Sequence, residues 1–150
     1  MRIDVRPAGR DDAPVVRRLL EFNAHDFSEI DGRDLGPHGE YGYPYLDHYW
    51  LEEDRRAYLI SVDGRIAGCA LLRLGDPNRV AEFFVLRRYR RAGVGTAAAR
   101  AVLGRHPGAW STTQVPGNAA AVAFWRRAVP VPFEEHADAG GTTQRFVIPG

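Results

Sequence analysis

The sequence predicts an α/β fold, an α+β mixed sheet in a single domain covering residues 1–150. Three observations predict it. Strand-like and helix-like segments follow one another as β-α-α-β-β-β-α-β-α-β-β, which fits one sheet with helices on its faces. Asp63-Gly64 lies between two apolar runs, a strong hairpin signal. Farther on, the strand-like run Ala81 to Leu86 passes through the basic turn Arg87 to Ala92 into the helix-forming run Ala97 to Leu103, with Gly93 and Gly95 between them. This last stretch organises the chain.

In order, Ile3 to Arg6 reads as a first strand, closed by Pro7. Asp11 or Asp12 caps a helix with Ala13 and Pro14 in its first turn. Val15, Val16, Leu19, Leu20 and Phe22 give that helix an apolar stripe opposite Arg17, Arg18 and Glu21. It is expected to fray from Asn23 to Phe27. Ser28 to Pro44 carries four glycines and two prolines, so no regular element fits and its length marks a binding loop. Leu46 to Leu51 is a short aromatic helix.

Arg56 to Val62 and Arg65 to Leu74 pair around Asp63-Gly64, and the small Ala67, Gly68, Cys69 and Ala70 leave room beside the second strand. Gly75 to Asn78 turns the chain into the organising strand at Val80. His106-Pro107-Gly108 stops the next helix, and Ala109 to Gln114 is the fifth strand. Asn118 caps a last helix whose Ala121, Val122, Phe124, Trp125 and Ala128 face the sheet. After Pro130 and Pro132, Phe133 to His136 and Thr142 to Ile148 close as a hairpin around Gly140-Gly141.

Composition narrows the classes. Twenty Lys plus Arg against nineteen Asp plus Glu leaves +1, which argues against a general nucleic-acid binder. The local excess at Arg87, Arg88, Arg90 and Arg91 therefore reads as a site for an anion. Cys69 is the only cysteine, so no intrachain disulfide forms, and its apolar surroundings in sequence make it a small buried hydrophobe. Met1 to Arg6 is not signal-like and no apolar run approaches membrane length, so a cytoplasmic location and no membrane partner are expected. No histidine among His25, His38, His48, His106 and His136 has metal-ligand spacing, and no metal is expected.

The glycine turn admits three readings. A phosphate-cradling nucleotide loop wants a lysine and a hydroxyl after its glycines, and Gly95-Thr96-Ala97-Ala98 has no lysine. A dinucleotide fingerprint is formally present as Gly93-x-Gly95-x-x-Ala98, but basic residues separate it from the strand and it lies past the middle of the chain. The third reading fits. Arg90-x-x-Gly93-x-Gly95 after a hydrophobic strand, with Val85 and Tyr89 in familiar places, resembles the acyl-CoA binding motif of the N-acetyltransferases of the GNAT family. Asn118-x-x-Ala121-x-x-Phe124-Trp125 looks like that family's second signature, and the element order is similar from Ile3 to Ile148.

The resemblance implies the acyl-CoA N-acyltransferase fold, with a mostly antiparallel sheet splayed between strands 4 and 5 to admit acetyl-CoA as co-substrate. It implies a diphosphate held by backbone amides from Arg91 through Gly93, Val94 and Gly95 to Thr96, beside Arg90, and a pantetheine arm along Phe84 and Val85. Asn118 would contact the pantetheine side and Trp125 the thioester end. The family often has a tyrosine at that last position, able to protonate the leaving thiolate. An indole N–H is a donor but no acid near neutral pH, so Trp125 departs from the pattern.

The implied reaction is direct attack of a primary amine on the thioester. The amine must lose a proton while the carbonyl is polarised. Glu82, a charged residue in an otherwise apolar strand, is the first candidate for the base. His25, Asp26 and Glu29 are alternatives, in the region where the family builds part of its acceptor pocket. Tyr41, Tyr43, Tyr45, Tyr49 and Trp50 suit either a pocket for a cationic amine or a cap on the sheet. The acceptor is expected to be a small-molecule or peptide amine, and the protein a monomer or homodimer. The runner-up is a non-catalytic acyl-CoA-binding sensor or interaction protein, which Trp125 keeps open.

Overall fold

In the computed structural model, which describes residues 1–150, seven strands share one sheet. The strands are β1 (Ile3–Pro7), β2 (Arg55–Val62), β3 (Arg65–Arg73), β4 (Asn78–Val85), β5 (Gly108–Gln114), β6 (Glu134–Asp138) and β7 (Gly141–Ile148). The helices are α1 (Ala13–Asp31), α2 (His48–Leu51), α3 (Val94–Gly104) and α4 (Ala119–Ala128). Across the sheet the strands lie in the order β1-β2-β3-β4-β5-β7-β6.

Every neighbouring pair is antiparallel except β4–β5. That parallel pair is joined only at Asn78↔Trp110 and Arg79↔Ser111. Beyond those residues the strands part, so the rest of β4 has no ladder partner on its β5 side. The expected splay between strands 4 and 5 is present.

Both faces of the sheet are covered. Leu19 and Leu20 of α1, with Leu46 and Tyr49, pack over Leu59, Cys69, Leu71 and Phe84. On the other face Val102 and Leu103 of α3 and Trp125 and Ala128 of α4 pack over Tyr58, Leu72, Trp110 and Phe146. Cys69 is fully buried, and that burial, with Glu82 nearby, pushes its thiol up to about 12. The hairpin turn has positive φ at both Asp63 (50°) and Gly64 (79°), the conformation that an Asp-Gly pair suits.

Three expectations are corrected. Helix α1 does not fray at Asn23 but runs to Asp31 and ends at Gly32, whose φ is 68°. Its polar second half is held by tertiary contacts that local propensity does not reveal. Phe22 is 57% exposed and Asn23, not Phe22, continues the buried stripe. The room expected beside Gly68 is filled by the sheet itself, because a Cβ there would lie 2.0 Å from the Phe84 carbonyl oxygen. No helix is long and apolar enough to cross a membrane.

Candidate active site

The splay opens into a cavity of about 1680 Å³ walled by α1, β4, β5, α4 and the turn between β4 and α3. Strand alternation sorts its β4 wall. Glu82 and Phe84 face α1, while Phe83 and Val85 face α3 and α4. The Leu86 N–H donates to the Ala67 carbonyl of the neighbouring edge at 2.7 Å. Antiparallel alternation then turns the peptide groups of Val85 the other way, into the splay.

Glu82 is half buried and lines the cavity. Its Oε2 accepts a hydrogen bond from Asn23 Nδ2 at 3.0 Å. Burial pushes the carboxyl above its ordinary value, and the Asn23 hydrogen bond and the more distant Arg33 pull only partly back. Its contact partner is neutral, so it is not the salt-bridged glutamate that an exposed strand edge would hold.

The turn into α3 takes its shape from two left-handed residues, Arg91 (φ 63°) and Gly93 (φ 79°). The first intrahelical N–H is that of Ala97, which donates to Gly93 at 3.0 Å. The amides of Val94, Gly95 and Thr96 therefore precede the helical ladder and are free to meet an anion. Val94 contributes only backbone, for its side chain is fully buried. Gly95 is needed for a reason other than ligand access. A Cβ there would lie 2.8 Å from Phe124 Cε1, so its absence lets the α4 aromatic pack down.

The basic cluster is less free than its composition implied. Arg87 and Arg90 donate to opposite oxygens of Asp26, at 2.6 and 2.7 Å. Arg90 also donates through Nε to the Val85 carbonyl at 2.8 Å and lies over the Phe84 ring. Burial works to raise the Asp26 carboxyl, but the two guanidinium groups outweigh it and hold the carboxyl below its ordinary value. Arg88 lies over the Tyr89 ring, while Arg91 borders the cavity.

On the opposite wall Asn118 uses Oδ1 to cap α4, accepting from the Ala121 N–H at 3.2 Å. Trp125 is both core and wall. It is 7% exposed, meets Phe83 and Phe124 edge-on, and borders the cavity. Behind β5 lies a polar seam. Gln144 Oε1 accepts from Thr112 and Gln114, each at 2.8 Å, and its Nε2 donates to Gln114 (2.9 Å) and Glu135 (3.0 Å).

Of the aromatic residues expected at an acceptor pocket, Tyr43 reaches the cavity. Tyr49 is buried beneath it, Trp50 donates to the Ala8 carbonyl at 2.9 Å, and Tyr45 is exposed. Tyr49 and Trp50 cap the sheet, while Tyr45 lies tilted against His48 at the surface. Among the alternative bases, Asp26 is doubly paired and His25 turns to the Tyr41 hydroxyl at 3.2 Å, while Glu29 borders the cavity but is exposed. Asn23 and Glu21 are functional-looking residues that sequence reasoning missed. The Glu21 carboxylate accepts from the amides of Tyr41 and Gly42, both at 2.8 Å, and pins the long loop. The signal for Asn23 was its place in the stripe Val16, Leu20, Asn23, Phe27, where a polar residue needs a buried partner.

The sequence profile of the acetyltransferase (GNAT) family matches residues 18–129. Among curated proteins, none matches the chain by sequence. The fold is similar to that of an acetyltransferase from Thermus thermophilus, with TM-score 0.74 and 20% identity over 99% of this chain and 97% of that one. It is also similar to the ribosomal-protein-S18-alanine N-acetyltransferase from Escherichia coli, with TM-score 0.71 and 16% identity over 99% and 96%. An aminoglycoside acetyltransferase in complex with coenzyme A has TM-score 0.67 and 16% identity over 99% and 95%.

Proposed function

This chain belongs to the acetyltransferase (GNAT) family, and from that premise we propose that it is an acetyl-CoA-dependent N-acetyltransferase passing an acetyl group directly to a primary amine. The observation that carries the reading is Glu82, a half-buried carboxyl with raised affinity for protons, set at the splay beside the unpaired edge of β4.

The donor set suits acetyl-CoA. The free amides of Val94, Gly95 and Thr96, with Arg91 and Gly93 before them, would hold its diphosphate. Phe84 and Val85 would run along its pantetheine arm, with Arg90 beneath, and Asn118 and Trp125 would close the other side. When bound, acetyl-CoA supplies an activated thioester carbonyl. The Val85 N–H, turned toward the splay, would donate to that oxygen. Glu82 would take a proton from the substrate ammonium, directly or through one water, leaving the neutral amine free to attack the thioester carbon. Trp125 would shape the acyl end as an aromatic wall and offers no acid, so a leaving thiolate, with an ordinary value of about 8.5, would depart as the anion or take its proton from water. Asn23, Phe27 and Tyr43 face the acceptor, a small-molecule or peptide amine, as with the ribosomal-protein and aminoglycoside substrates that the similar proteins are named for.

A thermal-shift titration with acetyl-CoA, followed by thiol release across an amine panel, tests this. Stabilisation with thiol release for some amines is expected. Stabilisation without release across the panel would identify an acyl-CoA-binding protein instead.

A further inference from the structure

Helix α1 makes two inward polar contacts in its second half, and both end on β4 or the turn that follows it. Asn23 meets Glu82 at 3.0 Å, and Asp26 meets Arg87 and Arg90 at 2.6 and 2.7 Å. Residues three apart share a helix face, so a single placement of α1 sets both contacts. Arg90 carries the second contact onward, because its Nε donates to the Val85 carbonyl at 2.8 Å.

That carbonyl needs a holder. It opens into the splay, where β4 has lost its β5 partner beyond Arg79. Arg90 is the residue that satisfies it, and Asp26 is the residue that keeps Arg90 in place. Both oxygens of Asp26 are used, one per guanidinium, in a partly buried position at 24% side-chain exposure. An ordinary exposed ion pair leaves its members free to exchange partners and contributes little. This carboxylate instead joins helix, turn and strand end in one bonded unit.

We propose that Asp26 is a positioning residue for acetyl transfer: through Arg90 it holds Val85 at the open edge of β4, and it locks the acceptor-side helix to the cofactor turn. The role rests on the N-acetyltransferase reading above. It also has an unusual sign. Arg87 and Arg90 line the same cavity as Gly93, Gly95 and Thr96, but Asp26 occupies them. Loss of Asp26 releases two cations next to the place a diphosphate would take, so cofactor affinity holds or rises. Turnover falls, because Val85 and α1 lose their tie. A residue that merely supported the turn would lower both.

The parent, Asp26→Asn and Asp26→Glu proteins decide it. Calorimetry with acetyl-CoA gives affinity, thiol release with the best amine of the panel gives kcat and KM, and hydrogen exchange is followed over residues 23–32 with and without acetyl-CoA. In Asp26→Asn, affinity for acetyl-CoA should stay within about threefold of the parent or tighten. Its kcat should fall at least about tenfold, a change in the barrier of about 1.4 kcal/mol. Acetyl-CoA should slow exchange over 23–32 in the parent, fail to do so in Asp26→Asn, and slow it again in Asp26→Glu. A larger loss of acetyl-CoA affinity in folded Asp26→Asn, an unchanged kcat, or undiminished protection of 23–32 in that variant each overturns the positioning role while leaving the enzyme reading intact. A parent that binds no acetyl-CoA overturns the enzyme reading, and this role with it.

Discussion

Asn23 Nδ2 donates to Glu82 Oε2 across 3.0 Å, so the buried face of α1 gives the half-buried carboxylate of β4 a neutral partner and no countercharge. That pairing keeps Glu82 in place without suppressing its basicity, since burial still holds its proton affinity above the ordinary value. Glu82→Gln preserves shape and can still bond to the Asn23 amide, but it removes the base. Single-turnover acetyl transfer should slow by about 10²–10⁴, with acetyl-CoA affinity unchanged. The loss should shrink as pH rises and more amine is free. A Glu82→Gln protein working at the parent rate would take Glu82 out of the reaction.

The same substitution should stabilise the protein at neutral pH. Between the ordinary carboxyl value and the raised folded value, the folded state keeps a proton that the unfolded chain has lost. Stability contributed by Glu82 is therefore present below the ordinary value and lost as pH rises through the folded one. Thermal unfolding against pH should show Glu82→Gln above the parent near neutrality, with the two curves converging in acid. Parallel curves would mean that the carboxyl is not perturbed.

Asn23→Ala tests the partner. The Asn23 hydrogen bond lowers the Glu82 value more than Arg33 does from a distance, so its removal moves that value farther up. The acid limb of the kcat/KM profile should shift to higher pH, more in Asn23→Ala than in Arg33→Gln, and the alkaline plateau should be largely kept. A profile that drops uniformly without shifting would make Asn23 a packing residue only.

The two glycines of the turn should fail differently. At Gly93 a Cβ meets open space, but φ is 79°, so Gly93→Ala brings backbone strain of about 1–2 kcal/mol and little steric change. At Gly95 the obstacle is Phe124 Cε1, 2.8 Å from the Cβ position. Gly95→Val must displace Phe124, which stacks on Phe83 and meets Trp125 edge-on. Acetyl-CoA affinity should fall by more than about tenfold, about 1.4 kcal/mol. Calorimetry on folded Gly95→Val with the parent affinity would show that the Phe124 packing behind the turn is not needed to hold acetyl-CoA.

Much of this architecture was legible in the sequence, and the reason differs by element. Asp63-Gly64 and the strand-turn-helix around Gly93 are local signals, set by φ preferences that single residues carry. The length of α1 was not legible, because Asn23 and Asp26 look like ordinary helix-ending polar residues until Glu82 and Arg90 stand opposite them. The four arginines pointed to an anion, and part of that anion is internal, since Asp26 sits sixty-one and sixty-four residues away in sequence from Arg87 and Arg90. Long-range pairing of charges has no periodicity to read. The aromatic run from Tyr41 to Trp50 was ambiguous for a like reason, as capping and binding use the same residue types.

Gln144 shows how the β5 wall is held. It is fully buried on β7, exchanges two hydrogen bonds with Gln114, and also bonds Thr112 and Glu135. Two of those partners, Thr112 and Gln114, border the cavity. Gln144→Leu would leave the Gln114 amide and the Thr112 hydroxyl buried and unpartnered, at about 1–3 kcal/mol for each. For a chain of this size that amounts to a fall in melting temperature of several degrees, about 2–4 °C per kcal/mol. Adding Gln114→Leu to Gln144→Leu should recover part of the loss, because removing both partners leaves fewer orphaned groups than removing one. Arg126 holds Glu135 independently and, with Gln144, brings its carboxyl down to about 2. The stability tied to that depression is present above the ordinary carboxyl value and lost as pH falls toward about 2, and most of it should survive in Gln144→Leu because Arg126 is the larger cause. Unfolding scans at several pH values on the single and double variants would check both halves. A double variant no more stable than Gln144→Leu would show that the seam acts through shape and not through hydrogen bonding.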